Sequence, residues 1–506
     1  MTTSFSNAPV AVREQLPPQV QIRKPAPPPV RRRHTLASRL AFVAICTAIV
    51  ATTLAYGTVH NWALAMFTFS AMVVVLLWAV DGIVLRSVLV PVNPLQWPLV
   101  GMLLLGLFQL MPLRTHDSAG LPLSPVRSLS LDPYATRMAL VQVAALLIYF
   151  AATSIFVDTP RRLKALVRTI AIFGFVLAIF GLTQSFTSDG TRVYWYRQLA
   201  QSTAFGPFIN RHHFAGFMLM AISIPFALLL SGAVESYKRP LYAFAAVVMA
   251  MALVATNSRG ATIALGAQIF VLIITASFGW GKKKEQSRTK RMRAATLRGV
   301  IALTVVIVVI GGALVLSGPE VFTRFLGTPI AEDPTTGRAH FWRVTLDAIK
   351  AYPLIGSGLG SFGAIYTRYD TRNGLYRLEQ AHNDYLQTLS DAGIIGAILG
   401  LAFIFILFRR GFARRETHDR FRRAVTTGAL GGCFAMLVHS FFDFPLHTTA
   451  NGLLFVILAA IATQDTRINT TYQPARRRKR RSSRRTGTSG SPPGDGPASD
   501  PATAEL

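Results

Sequence analysis

The chain has 506 residues, of which 51% are hydrophobic and only 15% charged, with a mean hydropathy of +0.40. A soluble domain carries about 25% charged residues; repeated apolar runs of about 17–23 residues instead point to an all-α polytopic membrane protein. The net charge of +29 does not indicate nucleic acid, because the basic residues fall in short connectors between apolar runs and in the tails.

Residues 1–35 are Pro-rich and end in Arg31-Arg32-Arg33, which predicts a disordered cytoplasmic tail. No cleavable signal peptide is apparent, since the first apolar run begins near Leu36 and is long enough to stay in the membrane. Transmembrane helices are predicted near 36–56, 62–80, 95–111, 138–157, 165–185, 214–233, 241–256, 260–280, 298–317, 386–408, 424–441 and 449–465, about twelve in all. Residues 36–317 thus carry helices one to nine, 318–385 form a large periplasmic loop, and 386–465 carry helices ten to twelve. The tail 466–506 is basic, then Ser-, Gly- and Pro-rich, and suits contact with anionic membrane lipids.

Charge sets the orientation. With the N-terminus in the cytoplasm, most of the 52 Lys and Arg face that side. Merging or dropping one helix would put Lys282-Lys283-Lys284 and the cluster between Arg409 and Arg423 on opposite faces. Both termini are therefore expected in the cytoplasm. Cys46 and Cys433 both fall in apolar runs and read as core residues, not a disulfide framework. No internal repeat or inverted half is visible.

Candidate chemistry crowds the outward face. Arg211 lies in Asn210-Arg211-His212-His213-Phe214, and Arg259 sits between two apolar runs with almost no loop to carry it into water. A charge so close to hydrocarbon is costly and has a partner or a task, or it snorkels to lipid head groups. Arg338 opens the segment that follows Gly337. Arginine's planar fork donates two parallel bonds to phosphate oxygens, so these arginines would suit a diphosphate whose lipid tail stays in the bilayer. As single residues, Arg211 and Arg338 are equally consistent with solvated loop charges.

His382 is followed by Asn383 and Asp384 and then an apolar run, so Asn or Asp is placed to cap that helix and hold His382 just outside it. Histidine's unperturbed pKa of about 6.5 lets it take a proton from a hydroxyl at neutral pH; a structural histidine bonding a loop carbonyl is the alternative. His439 and Asp443 end the eleventh helix on the same face. Asp443 is placed to pair with an arginine or orient His382, unless the segment is an interfacial aromatic belt. Gly356-Ser357-Gly358-Leu359-Gly360 lacks the βαβ context of a dinucleotide loop and reads as a tight turn. No Cys, His or carboxylate cluster has metal-ligand spacing, and no Ser-centred nucleophile motif is present.

In their order and spacing, these motifs resemble the O-antigen ligase and polymerase superfamily of bacterial envelope proteins. The matching pieces are Asn210-Arg211-His212-His213-Phe214-Ala215, Asn257-Ser258-Arg259-Gly260, Gly337-Arg338 with Trp342, the run from Pro353 to Phe362, and His382-Asn383-Asp384-Tyr385-Leu386-Gln387 with the Asp391-Ala392-Gly393 that follows. The resemblance implies a metal-independent glycosyltransferase of the inner membrane, without a cofactor, working at the periplasmic face. Its donor would be a glycan on undecaprenyl diphosphate, and its acceptor lipid A core or a growing polysaccharide. Carried over by motif, Arg259 and Arg338 would bind the diphosphate and stabilise its leaving charge, His382 would be the general base, and Arg211 would assist. Asn383, Asp384, Asp443 and His439 are added as substrate-binding candidates. The guanidinium groups of Arg259 and Arg338 and the imidazole of His382 are expected to line one cavity.

The sequence does not separate ligase from polymerase, though Asp443-Phe444-Pro445-Leu446 leans toward the exopolysaccharide-polymerase type. A flippase of lipid-linked oligosaccharide is the alternative from another class, but it should carry charges along a central path, whereas the mid-helix positions here are almost uncharged. A non-enzymatic assembly scaffold would need no paired Arg and His.

Overall fold

A computed structural model of the chain describes residues 34–116, 122–199, 202–277, 338–371, 378–417 and 419–464. Within these residues, every segment predicted to cross the membrane is a helix: α1 (Leu36–Leu54), α2 (Asn61–Leu85), α3 (Gln96–Gln109), α4 (Pro133–Phe156), α5 (Pro160–Thr187), α6 (Arg211–Leu230), α7 (Arg239–Ala255) and α8 (Arg259–Ser277), followed later by α11 (Asp384–Arg414), α12 (Arg420–His439) and α13 (Thr449–Thr463). The predicted helix at 298–317 and both tails lie outside the described residues. Among the described helices, eight are long and apolar enough to cross a membrane, while α3 and α13 are shorter apolar helices.

Several helices begin a turn earlier than hydropathy suggests, because capping residues start them before the apolar run does. The Asp132 carboxylate accepts from Ala135 N ahead of Pro133, and Thr159 Oγ1 accepts from Arg162 N ahead of Pro160. The region expected as one large loop is also more ordered than its polarity implies. Its described part contains α9 (Arg338–Ala351) and α10 (Phe362–Tyr369), which share a small core of Val344, Ala348, Phe362, Ile365 and Tyr366. Short hairpins fill two other connectors: β1 (Arg114–His116) with β2 (Pro122–Arg127), and β3 (Arg192–Val193) with β4 (Arg197–Gln198).

The centre of the bundle is α6, which is buried almost along its whole length and packs against α5, α7, α8 and α12. Close approach to α12 depends on small residues. A Cβ at Gly428 would lie 2.9 Å from Ile224 Cα, and one at Gly432 would lie 2.7 Å from Ser223 Oγ.

The glycine-rich turn 356–360 does not cradle a nucleotide. It plugs a break in α11, where Gly393 leaves the helical region at φ 63°, ψ −163°. Ser357 N donates to Ser390 O (2.9 Å) and Gly358 N to Asp391 O (3.1 Å), while Ile394 N donates to Pro353 O (2.8 Å). Backbone groups freed by the kink are thus satisfied by another backbone, as an apolar surrounding demands. Gln109 of α3 completes the joint, donating to Ile355 O and Asp391 O and accepting from Leu359 N.

Two glycines on α11 should therefore respond oppositely to alanine. At Gly393 the new Cβ would meet Leu354 O at 2.4 Å in a backbone region that favours glycine, so Gly393→Ala should cost at least about 2 kcal/mol. At Gly400 nothing lies within 4 Å, and Gly400→Ala should stabilise by about 0.5–1 kcal/mol. Thermal unfolding of the purified variants in one detergent checks both signs.

Candidate functional site

Three of the four predicted cations are the first residues of helices: Arg211 of α6, Arg259 of α8 and Arg338 of α9. A cation opposes the positive end of a helix dipole, so these positions concentrate positive potential at one end of the bundle. Asn210 prepares one of them by capping α6 through His212 N at 2.8 Å.

The starts of α6 and α9 meet around one carboxylate. Asp443, in the connector between α12 and α13, is 1% exposed. Its Oδ2 lies 3.3 Å from Arg338 Nη2 and 3.8 Å from His212 Nδ1, and its Oδ1 lies 3.4 Å from His382 Nδ1. Phe444 N donates to Oδ1 at 2.9 Å, and Arg338 Nη1 donates to the neighbouring Phe442 O at 2.7 Å. Burial by itself would raise the Asp443 carboxyl, but His212, His382 and Arg338 outweigh it and hold the group well below the usual carboxylate range.

His382 is fixed from both sides. Its backbone takes the left-handed φ of 52°, uncommon for a residue with a side chain. Trp342 Nε1 of α9 donates to Ala381 O at 3.1 Å, and Ala381 N donates to Gln387 Oε1 at 2.6 Å. Asn383 caps α11 through Tyr385 N and Leu386 N and also donates to Phe441 O. The His382 ring packs edge-on against Phe444, with centroids 4.9 Å apart.

In front of this ring is a cavity of about 790 Å³, whose wall includes His213, Phe341, His382, Phe444 and His447. A second cavity of about 1000 Å³ adjoins it and shares Asn61, Gln142, Glu379, Gln380 and His447. Neither Arg259 nor Arg338 belongs to the wall that holds His382. Arg338 instead turns onto Asp443 and Phe442 O, behind His382 and Phe444. The expected single cavity with all three residues on its wall is therefore corrected: Arg338 and His382 are joined through Asp443. Around Arg259, Ser258 Oγ lies 2.8 Å from His212 Nδ1, and a Cβ on Gly260 would meet Phe442 Cβ at 2.4 Å.

The remaining candidates divide. Asp384 is buried and accepts from Ser440 Oγ (2.7 Å), Leu446 N (3.3 Å) and His447 Nδ1 (2.6 Å). His439 is also buried and reaches His212 O at 3.1 Å through Nε2. Both act on neighbouring protein groups. The sequence does not single out His212, His213 or His447 as site residues; His212 and His213 carry a signal, standing inside the Arg211 motif, whereas His447 carries none. Among the described residues no group of three or more His, Cys, Asp or Glu side chains is arranged to hold a metal ion.

The fold and site define a polytopic helical membrane protein with a polar, histidine-lined pocket at one end of its bundle. Residues 244–401 match the family model described as O-antigen ligase, which supports the resemblance to the O-antigen ligase and polymerase superfamily. That family consists of glycan-transferring membrane enzymes with lipid-linked substrates. No curated protein matches the chain. The matched segment contains Arg259, Arg338 and His382 and stops before Asp443, the shared neighbour of Arg338 and His382.

Because the Asp443 carboxyl is depressed, its pairing contributes stability above the ordinary carboxylate pKa of about 3.9 and loses it as pH falls toward the folded value. Asp443→Asn should cost on the order of 3 kcal/mol at pH 7 by leaving the part-buried Arg338 guanidinium without its carboxylate. The difference from wild type should shrink as pH falls below about 4, which thermal unfolding across pH 3–7 measures.

Proposed function

We propose that the protein transfers a glycan from an undecaprenyl-diphosphate donor to an acceptor hydroxyl, on lipid A core or on a growing polysaccharide, at the periplasmic face of the inner membrane. The accompanying topology has about twelve transmembrane helices with both termini cytoplasmic. One observation carries the reading: Arg338 and His382 face the two oxygens of a single buried carboxylate, Asp443. Such a carboxylate orients an imidazole and stabilises it once charged.

With Nδ1 toward Asp443, His382 keeps Nε2 for the cavity it lines. Nε2 takes the proton of the acceptor hydroxyl as its oxygen attacks the anomeric carbon. The bond from that carbon to the diphosphate oxygen breaks, and undecaprenyl diphosphate leaves with the bonding electrons. Arg338 and Arg259, off the wall that holds His382 but at the same end of the bundle, supply positive potential that stabilises the charge developing on it, with Arg211 assisting, a role electrostatics can fill without a metal ion. The 3.4 Å separation of His382 from Asp443 is loose, and such contacts tighten when the reacting complex forms.

The test is transfer by purified protein from an undecaprenyl-diphosphate oligosaccharide to candidate acceptors. Wild type should release undecaprenyl diphosphate, and His382→Ala and Arg338→Ala should each lose at least about 100-fold in kcat. Product length separates a ligase from a polymerase. Movement of the lipid across vesicles without glycan transfer would make the protein a flippase instead.

A further inference from the structure

The site contains a second carboxylate–imidazole pair, interleaved with the first. His382 faces Asp443, and two residues further along the chain Asp384 faces His447, with Nδ1 to Oδ1 at 2.6 Å. Asp384 is 6% exposed and also accepts from Ser440 Oγ and Leu446 N. With its oxygens occupied by donors, it acts as a carboxylate, and His447 must present a proton to it from Nδ1.

The other side of the His447 ring is open. About a third of its side chain is exposed (34%), and it belongs to the shared wall of the two cavities. A second observation points to a ligand there. His213, 5% exposed and on the wall of the 790 Å³ cavity, has an Nε2 with no hydrogen-bond partner among the described residues. A buried polar atom left unpaired beside a cavity is costly unless something enters to meet it.

We propose that His447 is a ligand-contacting residue that donates from Nε2 to a phosphate oxygen of the lipid-linked donor, with Asp384 as the positioning residue that keeps it charged. This rests on the transferase reading for the identity of the phosphate. Burial pulls the His447 pKa down, and the Asp384 and Asp391 carboxylates of α11 more than offset it, so the imidazolium persists above its usual range. The other titratable groups on the 790 Å³ cavity's wall are Glu379, His382 and His213.

The experiment measures binding rather than turnover. Undecaprenyl diphosphate is titrated into the full chain in nanodiscs from pH 5.5 to 8.5, for wild type, His447→Gln and Asp384→Asn, with folding checked by circular dichroism. Wild-type affinity should weaken as pH rises through the His447 pKa. His447→Gln should bind at least about tenfold more weakly at pH 6, with a flatter profile, and Asp384→Asn should move the midpoint to lower pH. A folded His447→Gln that binds like wild type across the range overturns the proposal, as does a variant with weaker binding but an unchanged profile. If wild type binds with the predicted profile yet transfers no glycan, the phosphate contact stands and the transferase reading fails.

Discussion

A buried carboxylate is costly unless charged partners surround it, and Asp443 is where this protein meets that constraint. Its oxygens face Arg338, His212, His382 and the amide of Phe444. Those partners come from α9, α6, the segment before α11 and the connector after α12. The carboxylate thereby sets the relative positions of four elements that the sequence separates by more than 200 residues. Its negative charge also lets the starts of α6 and α9, each headed by an arginine, lie close together, which their dipoles and like charges would otherwise oppose.

The apolar bundle supplies the rigidity that this arrangement needs. Small residues on α12 let it lie directly against α6, so the end of α12 delivers His439, Ser440 and Asp443 to the start of α6. The break at Gly393 performs a similar task for α11. By accepting the turn 353–360 into its backbone ladder, α11 anchors the segment that leads from α9 to α10. Both devices depend on glycine because backbone atoms occupy the place of a Cβ, and the second reaches the pocket directly, since Leu359, Gly360, Asp391 and Ala392 line the 1000 Å³ cavity.

Under the proposed function, the pocket divides labour between residues that face the cavities and residues that hold them in place. Asp443, Asp384 and His439 are buried and engaged by protein atoms, whereas His382 and His447 face the adjoining cavities. Two imidazoles on one wall are each backed by a separate carboxylate. Such a wall suits a reaction in which one oxygen loses a proton while another gains negative charge.

Most of this architecture is legible in the amino-acid order. Periodicity and hydropathy locate the described apolar helices, since a segment in lipid must satisfy its own backbone and is marked by its apolar length. The motifs around Arg211, Arg259, Arg338 and His382 carry the resemblance to the family because they are local runs of residues. Asn383 declares the cap that holds His382 for the same reason: a cap acts over three residues. What only the tertiary structure decided is which of these residues meet. The convergence on Asp443, the turn seated in α11 and the pairing of His447 with Asp384 each join positions from 30 to more than 200 residues apart, through contacts that no local pattern encodes. A lone histidine after Pro445 looks the same in sequence whether it faces solvent or a buried carboxylate; only packing puts Asp384 within 2.6 Å of it.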